Sequence, residues 1–462
     1  MGEMSVPDDA LYGASTQRAV LNFPISGRPL PEAFIRGLGL VKLACARANG
    51  ELGRLPPEKG RLIEQASREI AEGKLTAQFP VDVFQTGSAT SSNTNANEVI
   101  ANRCSQLAGQ PVGSRRPIHP NDDVNLGQSS NDVIPTTLHV SVAVALQRNL
   151  EPALTQLAAA LEKKSKEFDE IVKIGRTHLM DATPLTLGQE FSGYAAQARK
   201  SATRAKRAVD ALAELAIGGT AVGTGLNAHP EFSKRVCRIL SEETGLAFRE
   251  ADNHFEAQGG RDDCVEVAGQ LSTITASLTK IANDLRWLGS GPRAGLGELR
   301  LPATQPGSSI MPGKVNPVMS EMLVQACLYA QGLAQTVVQC GRDGHFELNV
   351  TMPLMAHCLH EAIHVLANAT RVFAERCVAG IEADAARCKD LVDRSLMLVT
   401  ALNPHIGYDQ AAAVAKEAFA TGRSLREIVL AKKLMDPATL DRALDPTGMT
   451  KAGESDLGGA GG

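Results

Sequence analysis

A long run of apolar residues with helical spacing constrains the fold of this chain more than any other feature. The steps between successive members are three or four residues, in the order Cys264, Val267, Leu271, Ile274, Leu278, Ile281, Leu285 and Leu288. This spacing puts the side chains on one face of a helix, and the Gly289-Ser290-Gly291-Pro292 sequence predicts its end. A helix of about 25 residues is about 38 Å long. Its apolar seam needs partners of similar length, so the pattern predicts a bundle of long helices.

Helical periodicity recurs along most of the chain. It predicts helices over residues 31–54, 57–72, 92–108, 317–340 and 353–378, and a further helix that contains the leucine steps from Leu146. Aromatic residues make up only 4% of the chain although 43% of it is hydrophobic. An aliphatic core of this kind favours helix packing over a β-sandwich. The predicted fold class is therefore all-α, with a smaller C-terminal region after a composition break at Gly380.

Charge and cysteine usage exclude several classes of protein. The formal net charge is −4 and the basic residues are dispersed, which makes nucleic acid an unlikely type of partner. No apolar run reaches the length of about 18 residues that a membrane helix needs, and the N-terminus shows no export signal. The nine cysteines form no CxxC pair, which indicates reduced thiols rather than a disulfide framework or a zinc site. We therefore expect a soluble, cytoplasmic protein.

Four polar loops interrupt the helical pattern, at residues 86–95, 128–131, 176–178 and 307–316. The first is interpreted as a cap on a helix that begins near Asn95, and the alternative is a neutral hydrogen-bonding wall for a charged ligand. The third is interpreted as part of a short loop between helices. The second leads into a helix, whose N-terminal N–H groups and dipole favour an anion. By contrast, the glycine-rich segment 218–225 lacks the Lys-Ser/Thr of a phosphate loop and is interpreted as a close-packed connection.

The fourth loop carries the most distinctive chemistry. Gly307-Ser308-Ser309-Ile310-Met311-Pro312-Gly313-Lys314-Val315-Asn316-Pro317 contains two glycines and two prolines, which exclude a continuous helix. Lys314 and Asn316 offer a charge and directed donors, and no carboxylate occurs before Glu321. This set suits an anionic ligand, with a serine available for proton transfer. An ordinary Gly/Pro connection is the alternative interpretation of the loop taken alone.

The polar loops lie at the ends of long helical elements and far apart in sequence. Long helices bring their tips together with difficulty inside one chain. We therefore expect some loops to meet across a subunit boundary, which predicts a homo-oligomer.

Several motifs together resemble the class II fumarases of the fumarase/aspartase superfamily. They are Thr86-Gly87-Ser88-Ala89-Thr90, His119-Pro120-Asn121-Asp122, Gln128-Ser129-Ser130-Asn131-Asp132, Gly175-Arg176-Thr177-His178, and the 307–316 loop with Glu321. The similarity covers nearly the whole chain. It implies an all-helical subunit with a central long-helix bundle and three domains, at 1–128, 129–385 and 386–462. It also implies a cytoplasmic homotetramer of the tricarboxylic acid cycle, with active sites shared between subunits and no cofactor or metal.

The resemblance also implies roles for individual residues. Ser308 would be the base that removes the C3 proton of (S)-malate, and His178, with Glu321, would serve the departing hydroxide. Lys314 and Asn316 would stabilise an aci-carboxylate intermediate. The remaining substrate-binding positions are Ser88, Thr90, Ser129, Ser130, Asn131, Thr177 and Ser309. A second dicarboxylate site would comprise Arg116, His119, Asn121 and Asp122.

Two other functions remain open at the level of sequence. Val318-Met319-Ser320 resembles aspartases, so aspartate ammonia-lyase is the nearest rival to fumarate hydratase. Ser129-Ser130-Asn131 instead resembles fumarases. The chain departs from the family pattern at Phe84, Ala89, Thr94 and Met180. A non-catalytic helical scaffold is the third possibility, although the matched catalytic positions are intact.

Overall fold

The protein is built mainly from α-helices, which confirms the predicted fold class. The computed structural model describes residues 3–451. The α-helices in this range are α1 Ala14–Asn22, α2 Glu32–Glu51, α3 Pro57–Ala71, α4 Thr90–Leu107, α5 Ser130–Ala145, α6 Glu151–Glu167, α7 Leu187–Ala211, α8 Phe232–Thr244, α9 His254–Gly259, α10 Asp262–Leu288, α11 Val318–Gly341, α12 Met352–Arg376, α13 Ala385–Arg394, α14 Asn403–Ile406, α15 Tyr408–Thr421, α16 Leu425–Ala431 and α17 Pro437–Ala443. Single π-helical turns occur at Pro120–Val124 and Leu146–Leu150. Short 3₁₀ segments lie at Thr76–Gln78, Val378–Gly380, Leu396–Leu402 and Pro446–Thr450.

The strands form small two-stranded pairs. β1 Val172–Thr177 pairs antiparallel with β2 Met180–Thr186, and β3 Glu214–Leu215 pairs parallel with β4 Arg249–Glu250. The other antiparallel pairs join β5 Leu299–Arg300 to β8 Glu382–Ala383, and β6 Gly344–His345 to β7 Leu348–Asn349. Only β1 and β2 are long enough to shape a functional element.

The apolar seam predicted from the sequence lies within α10, a helix of 27 residues. Each of its eight seam side chains, from Cys264 to Leu288, is buried. The predicted helices at 31–54, 57–72, 317–340 and 353–378 correspond to α2, α3, α11 and α12 within a few residues. No helix within residues 3–451 is long and apolar enough to cross a membrane. The nine cysteines are all buried thiols outside any disulfide, as predicted.

Two of the local predictions were wrong. Residues 172–186 form the β1–β2 hairpin rather than a short loop between helices. The helix predicted over residues 92–108 corresponds to α4 within two residues, but the interpretation of residues 86–95 as a cap was wrong. Because α4 begins at Thr90, Asn93 and Asn95 are buried inside the helix.

The described chain divides into two compact units, and the predicted three-domain boundaries stay a prediction. The first unit contains the described residues up to Leu154 together with 200–278 and 325–369. In it, α2 packs against α3, α5 and α8. Glycines on α2 permit this packing, because a Cβ on Gly37 would lie 2.6 Å from Ser141 Cβ and one on Gly39 would lie 2.6 Å from the Ala71 amide nitrogen.

The second unit contains residues 155–199 and 279–324 and the described chain from residue 370 onward. Here α13 packs on β1, and α15 packs on α16 and on the 3₁₀ segment Leu396–Leu402. Ile174 of β1 shares one buried apolar cluster with residues of the C-terminal helices, among them Val392, Val414, Ile428 and Leu440. The hairpin is therefore anchored by the C-terminal helices of its own unit.

A helix end in this unit gives a stability prediction. Lys433 follows α16 with φ = 55°, and its N–H donates to Leu430 O at 3.0 Å while the next N–H, of Leu434, donates to Val429 O at 3.1 Å. This is a Schellman motif with an exposed lysine where glycine is favoured. We expect Lys433→Gly to stabilise the unit by about 1 kcal/mol, because glycine adopts this left-handed conformation without strain. Thermal unfolding checks this, and Gly422→Ala, at φ = 69° after α15, should shift the melting temperature the opposite way.

Candidate active site

The first unit brings three of the sequence-selected hydroxyl groups into one hydrogen-bonded chain. Ser88 Oγ lies 2.8 Å from Thr90 Oγ1, and Thr90 Oγ1 lies 2.8 Å from Ser130 Oγ. Thr90 is the first residue of α4 and Ser130 is the first residue of α5. Two helix N-termini therefore meet at this hydroxyl chain, which we call the hydroxyl wall. Its donors and both helix dipoles favour an anion.

The turn before α4 is held in a strained conformation. Ala89 has φ = 53° although it carries a side chain, and it is fully buried. Left-handed geometry costs about 1–2 kcal/mol for such a residue. Gly87, two residues earlier, has its carbonyl bonded to the Met352 N–H at 3.1 Å, and a Cβ at Gly87 would lie 1.8 Å from Val350 O. The turn is thus clamped against the 350–352 segment, which fixes where Ser88 and Thr90 lie.

The N-terminus of α5 is fixed by a capping box. Ser129 is the N-cap, and its N–H donates to Asp132 Oδ1 at 2.9 Å. The other oxygen of this buried carboxylate accepts the N–H groups of Gly218 at 3.0 Å and Thr220 at 2.9 Å. Burial raises the pKa of Asp132 to about 6, against the lowering effect of these N–H donors. The glycine-rich segment after β3 is thereby tied to the start of α5.

Asn131 and the predicted second dicarboxylate site also lie in the first unit. Asn131 Nδ2 donates to Ala221 O at 2.8 Å, and Asn131 Oδ1 accepts from Ser130 Oγ at 3.4 Å, so this amide is held in place. At the second site, His119 Nδ1 accepts the Asp122 N–H at 3.2 Å, and Ser105 Oγ donates to Arg116 O at 2.8 Å. The segment that carries Asn121 and Asp122 is the π-helical turn packed on α4.

In the second unit, Thr177 and His178 lie at the tip of the β1–β2 hairpin. His178 and Leu179 form its two-residue loop, with φ values of 58° and 61°. Positive φ at both positions is the geometry of a type I′ turn, which normally takes Asn-Gly. The tip is exposed, and Leu179 is 74% exposed. Strained backbone of this kind clusters at active sites, which keeps His178 a candidate functional residue.

A buried charge cluster supports this hairpin. Arg176 donates to both oxygens of Glu298, with Nη1–Oε2 at 2.9 Å and Nη2–Oε1 at 3.0 Å. Lys173 Nζ lies 3.4 Å from Glu298 Oε2 and 3.1 Å from Glu190 Oε2. Glu298 is fully buried and Lys173 is 1% exposed. Because Arg176 directly precedes Thr177, the bidentate pair fixes the end of the strand that presents the tip.

The 307–316 loop closes on itself, also in the second unit. The Gly307 N–H donates to Lys314 O at 2.8 Å, and Asn316 Nδ2 donates to Gly307 O at 2.8 Å. Inside the loop, Ser308 Oγ accepts the N–H groups of Ile310 at 3.2 Å and Met311 at 3.0 Å. Two donors aimed at one hydroxyl oxygen stabilise negative charge on that oxygen.

The other candidate residues of this region lie on the same loop or at the start of the helix that follows it. Ser309 and Lys314 are exposed on the loop, and the Lys314 ammonium makes no ion pair within the described range. Glu321 lies in the first turn of α11, and its N–H donates to Pro317 O at 3.1 Å. Within residues 3–451, no three His, Cys, Asp or Glu side chains cluster as a metal site requires.

Sequence reasoning missed the residues that support these loops. Lys42 is fully buried in α2, and its ammonium donates to Asn125 Oδ1 and Gln128 Oε1, each at 3.0 Å. Asp132 was quoted as part of a motif but not selected as a site residue, and Glu298 was not selected at all. The sequence signal that could have identified Lys42 is a charged residue inside an apolar stretch, Leu40-Val41-Lys42-Leu43-Ala44.

Comparison with known proteins identifies the family. Residues 2–332 match the lyase family, and residues 398–451 match the fumarase C C-terminus family. Class II fumarate hydratase of Mycobacterium tuberculosis is 51% identical over 461 residues, which cover 99% of this chain and 96% of that protein. The corresponding protein of Neisseria meningitidis is 50% identical over 449 residues, which cover 97% of each chain.

Solved structures agree with this match. Class II fumarase from Schistosoma mansoni superposes with a TM-score of 0.94 at 38% identity and covers 97% of both chains. A fumarate lyase:delta crystallin from Brucella melitensis also gives 0.94, at 44% identity and 98% coverage of both chains. The chain therefore belongs to the lyase family defined by this all-helical fold. Within that family it is a member of the class II fumarases.

Proposed function

We propose that this enzyme is a fumarate hydratase, which interconverts fumarate and (S)-malate by anti addition and elimination of water. Membership of the class II fumarases supports this activity over aspartate ammonia-lyase. A non-catalytic scaffold is disfavoured because the catalytic loop is intact and closed. The observation that carries the chemistry is Ser308 Oγ accepting two backbone N–H groups, from Ile310 and Met311.

Ser308 acts as the base in this proposal. A free serine hydroxyl is too weakly acidic to supply an alkoxide near neutral pH, so the site must lower the free energy of that anion. The two N–H donors do this directly, and the exposed Lys314 of the same loop supplies positive charge. The alkoxide takes the C3 proton of (S)-malate and becomes a hydroxyl, while the electron pair left on C3 moves into the adjacent carboxylate.

The resulting aci-carboxylate carries an additional negative charge that needs preset donors. Lys314 and Asn316 of the 307–316 loop stabilise this charge. The hydroxyl wall with Ser129 and Asn131, together with Thr177 and Ser309, binds the substrate carboxylates. Because the wall residues are already fixed by helix starts and a capping box, little reorganisation accompanies the reaction.

His178 handles the departing hydroxyl group. When the C2–O bond breaks, the leaving oxygen needs a proton to depart as water, and a protonated imidazole gives this proton and becomes neutral. Glu321 orients His178 in this assignment. The four residues of the second dicarboxylate site, Arg116, His119, Asn121 and Asp122, bind substrate outside the reacting centre.

The active form is a cytoplasmic homotetramer in this proposal, with sites completed by neighbouring subunits. Large apolar side chains exposed on the single chain support oligomerisation, such as Phe346 at 94% and Leu328 at 66%. The exposed His178 tip and Lys314 loop also suit completion by another subunit. Light scattering should give about four times the 48.8 kDa chain mass, and a monomeric active enzyme would contradict the tetramer.

Hydration in heavy water tests the function and its stereochemistry together. We expect fumarate in deuterium oxide to give (S)-malate with one deuterium at C3, since the proton added there comes from solvent. Anti addition gives one diastereomer, which the proton coupling between C2 and C3 identifies by NMR. A mixture of the two C3 diastereomers, or no malate, would contradict the proposal.

Closure of the 307–316 loop should be essential for turnover. A Cβ at Gly307 would lie 2.5 Å from Lys314 O and 2.8 Å from the Asn316 nitrogen, so Gly307→Ala must open the loop. We expect kcat to fall about a hundredfold, the effect of moving a reacting group by about 1 Å. Gly448→Ala is the control, because no atom lies within 4 Å of its added Cβ. Equal activity of the two variants would show that the closed loop is not required.

A further inference from the structure

The buried Lys42 ammonium connects the two helix starts that form the hydroxyl wall. It donates to Asn125 Oδ1 and to Gln128 Oε1, each at 3.0 Å. Asn125 Oδ1 also accepts the side-chain N–H groups of Asn93 at 3.2 Å and Asn97 at 3.3 Å, which lie on α4. Gln128 directly precedes Ser129, the N-cap of α5. One cation thus contacts a network that spans the first turns of α4 and the entry to α5.

The orientation of both amides is set by their other bonds. Asn125 Nδ2 donates to Gln128 O at 3.2 Å, and Gln128 Nε2 donates to Val124 O at 3.0 Å. Each amide oxygen is thereby turned toward Lys42. Asn49 Nδ2 donates a hydrogen bond to Leu126 O in the same turn at 2.9 Å. Lys42 and Asn49 of α2 therefore fix the 125–128 turn, and this turn positions Ser129 and Ser130.

The charge of Lys42 is unfavourable where it lies. The ammonium is fully buried, and it makes no ion pair with a carboxylate in the described part of the chain. It also lies near the positive ends of the α4 and α5 dipoles, which repel a cation. A dianion bound at the hydroxyl wall would compensate all three sources of positive potential.

We propose that Lys42 is a positioning residue of the substrate site, which fixes the 125–128 turn and supplies positive charge that favours a dicarboxylate dianion at the hydroxyl wall. The inference rests on the proposed hydratase function. Lys42 does not touch the reacting atoms. Its contribution is to substrate binding, so loss of its charge raises KM more than it lowers kcat.

The state of ionisation adds a pH dependence to this role. Burial lowers the pKa of Lys42 to about 8, and the Asp132 carboxylate on α5 acts in the opposite direction, whereas the nearby Cys45 on α2 carries no charge in this pH range. Burial raises the pKa of the Cys45 thiol, and Cys237 on α8 acts in the same direction, so Cys45 stays neutral. As pH rises through about 8, Lys42 loses its proton and its charge. The KM for fumarate should therefore rise across this range while the substrate remains a dianion.

Lys42→Met tests the proposal. We expect its KM for fumarate at pH 7 to be about tenfold higher than that of the unmodified enzyme, with a smaller change in kcat. Its KM should also be independent of pH between 7 and 9. Calorimetric binding of succinate, a dicarboxylate that cannot react, should weaken by a similar factor. A KM, pH profile and succinate affinity equal to those of the unmodified enzyme would overturn the proposal.

Two further variants keep the test decisive. Lys59→Met removes a lysine that pairs with Asp123 on the neighbouring turn at 2.8 Å, and it should leave KM and its pH dependence unchanged. If Lys42→Met fails to fold, Asn125→Asp places a carboxylate beside Lys42 and should move the rise in KM to higher pH. An unmoved rise would overturn the proposal. Absence of hydratase activity in the unmodified enzyme would instead refute the proposed function, and the succinate measurement would still report on Lys42.

Discussion

Ser308→Ala is expected to lower kcat for malate dehydration about 10³-fold or more, without loss of the folded oligomer. The substitution removes the oxygen that the Ile310 and Met311 N–H groups stabilise, and with it the base. The loop itself is closed by other bonds, between Gly307 and Lys314 and between Gly307 and Asn316. Fold and assembly should therefore persist, as judged by melting temperature and light scattering.

The matched control for this variant is Thr304→Ala. Thr304 is an exposed hydroxyl residue just before the same loop, and its removal should leave kcat unchanged. Retention of most of the activity by Ser308→Ala would refute the assignment of the base. A loss of activity accompanied by a large fall in melting temperature in Ser308→Ala would mean that the hydroxyl is needed for structure rather than for proton transfer.

Glu298→Ala should produce the largest loss of stability among single substitutions considered for the second unit. The change leaves the buried Lys173 and the partly buried Arg176 without their shared carboxylate. Removing one partner of a buried ion pair typically costs about 3–5 kcal/mol. We also expect kcat to fall, because Arg176 would no longer hold the strand that presents Thr177 and His178. Urea unfolding followed by fluorescence of Trp287, the single tryptophan, measures the loss of stability.

Asp390→Ala provides the comparison, since Asp390 pairs with Arg387 and Arg394 at the surface of the same unit. Exposed ion pairs contribute about 0–1 kcal/mol, so this variant should unfold near the urea midpoint of the unmodified protein. Equal midpoints for Glu298→Ala and Asp390→Ala would show that the buried cluster does not stabilise the hairpin.

The helices could be predicted because their apolar spacing is regular over many turns. α10 is the clearest case, since its seam continues from Cys264 to Leu288 and all of those side chains are buried. The β1–β2 hairpin could not be predicted, because its loop is His178-Leu179 instead of the Asn-Gly that signals a type I′ turn. The start of α4 was placed near Asn95 because Asn93 and Asn95 look like loop residues. Inside the fold, Asn93 Nδ2 donates to Asn125 Oδ1 at 3.2 Å and Asn95 Nδ2 donates to Gln78 O at 2.9 Å.

The candidate site was predictable in its polar loops but not in its supports. The hydroxyl and amide composition around Ser88 and Ser129 indicated an anion site. The hydrogen bond between Thr90 and Ser130 joins residues 40 positions apart, and no local pattern reports such a contact. Lys42 lies 83 residues from Asn125, so its role depends on how α2 packs beneath the 125–128 turn.

The most direct test of the hydratase function is the ultraviolet absorbance of fumarate with the purified enzyme. One sample receives (S)-malate and another receives L-aspartate, since both substrates would give fumarate on the same scaffold. We predict a rise in absorbance with malate alone. A rise with aspartate alone would show that the elimination acts on an amine and would contradict the account, and so would the absence of a rise with either substrate.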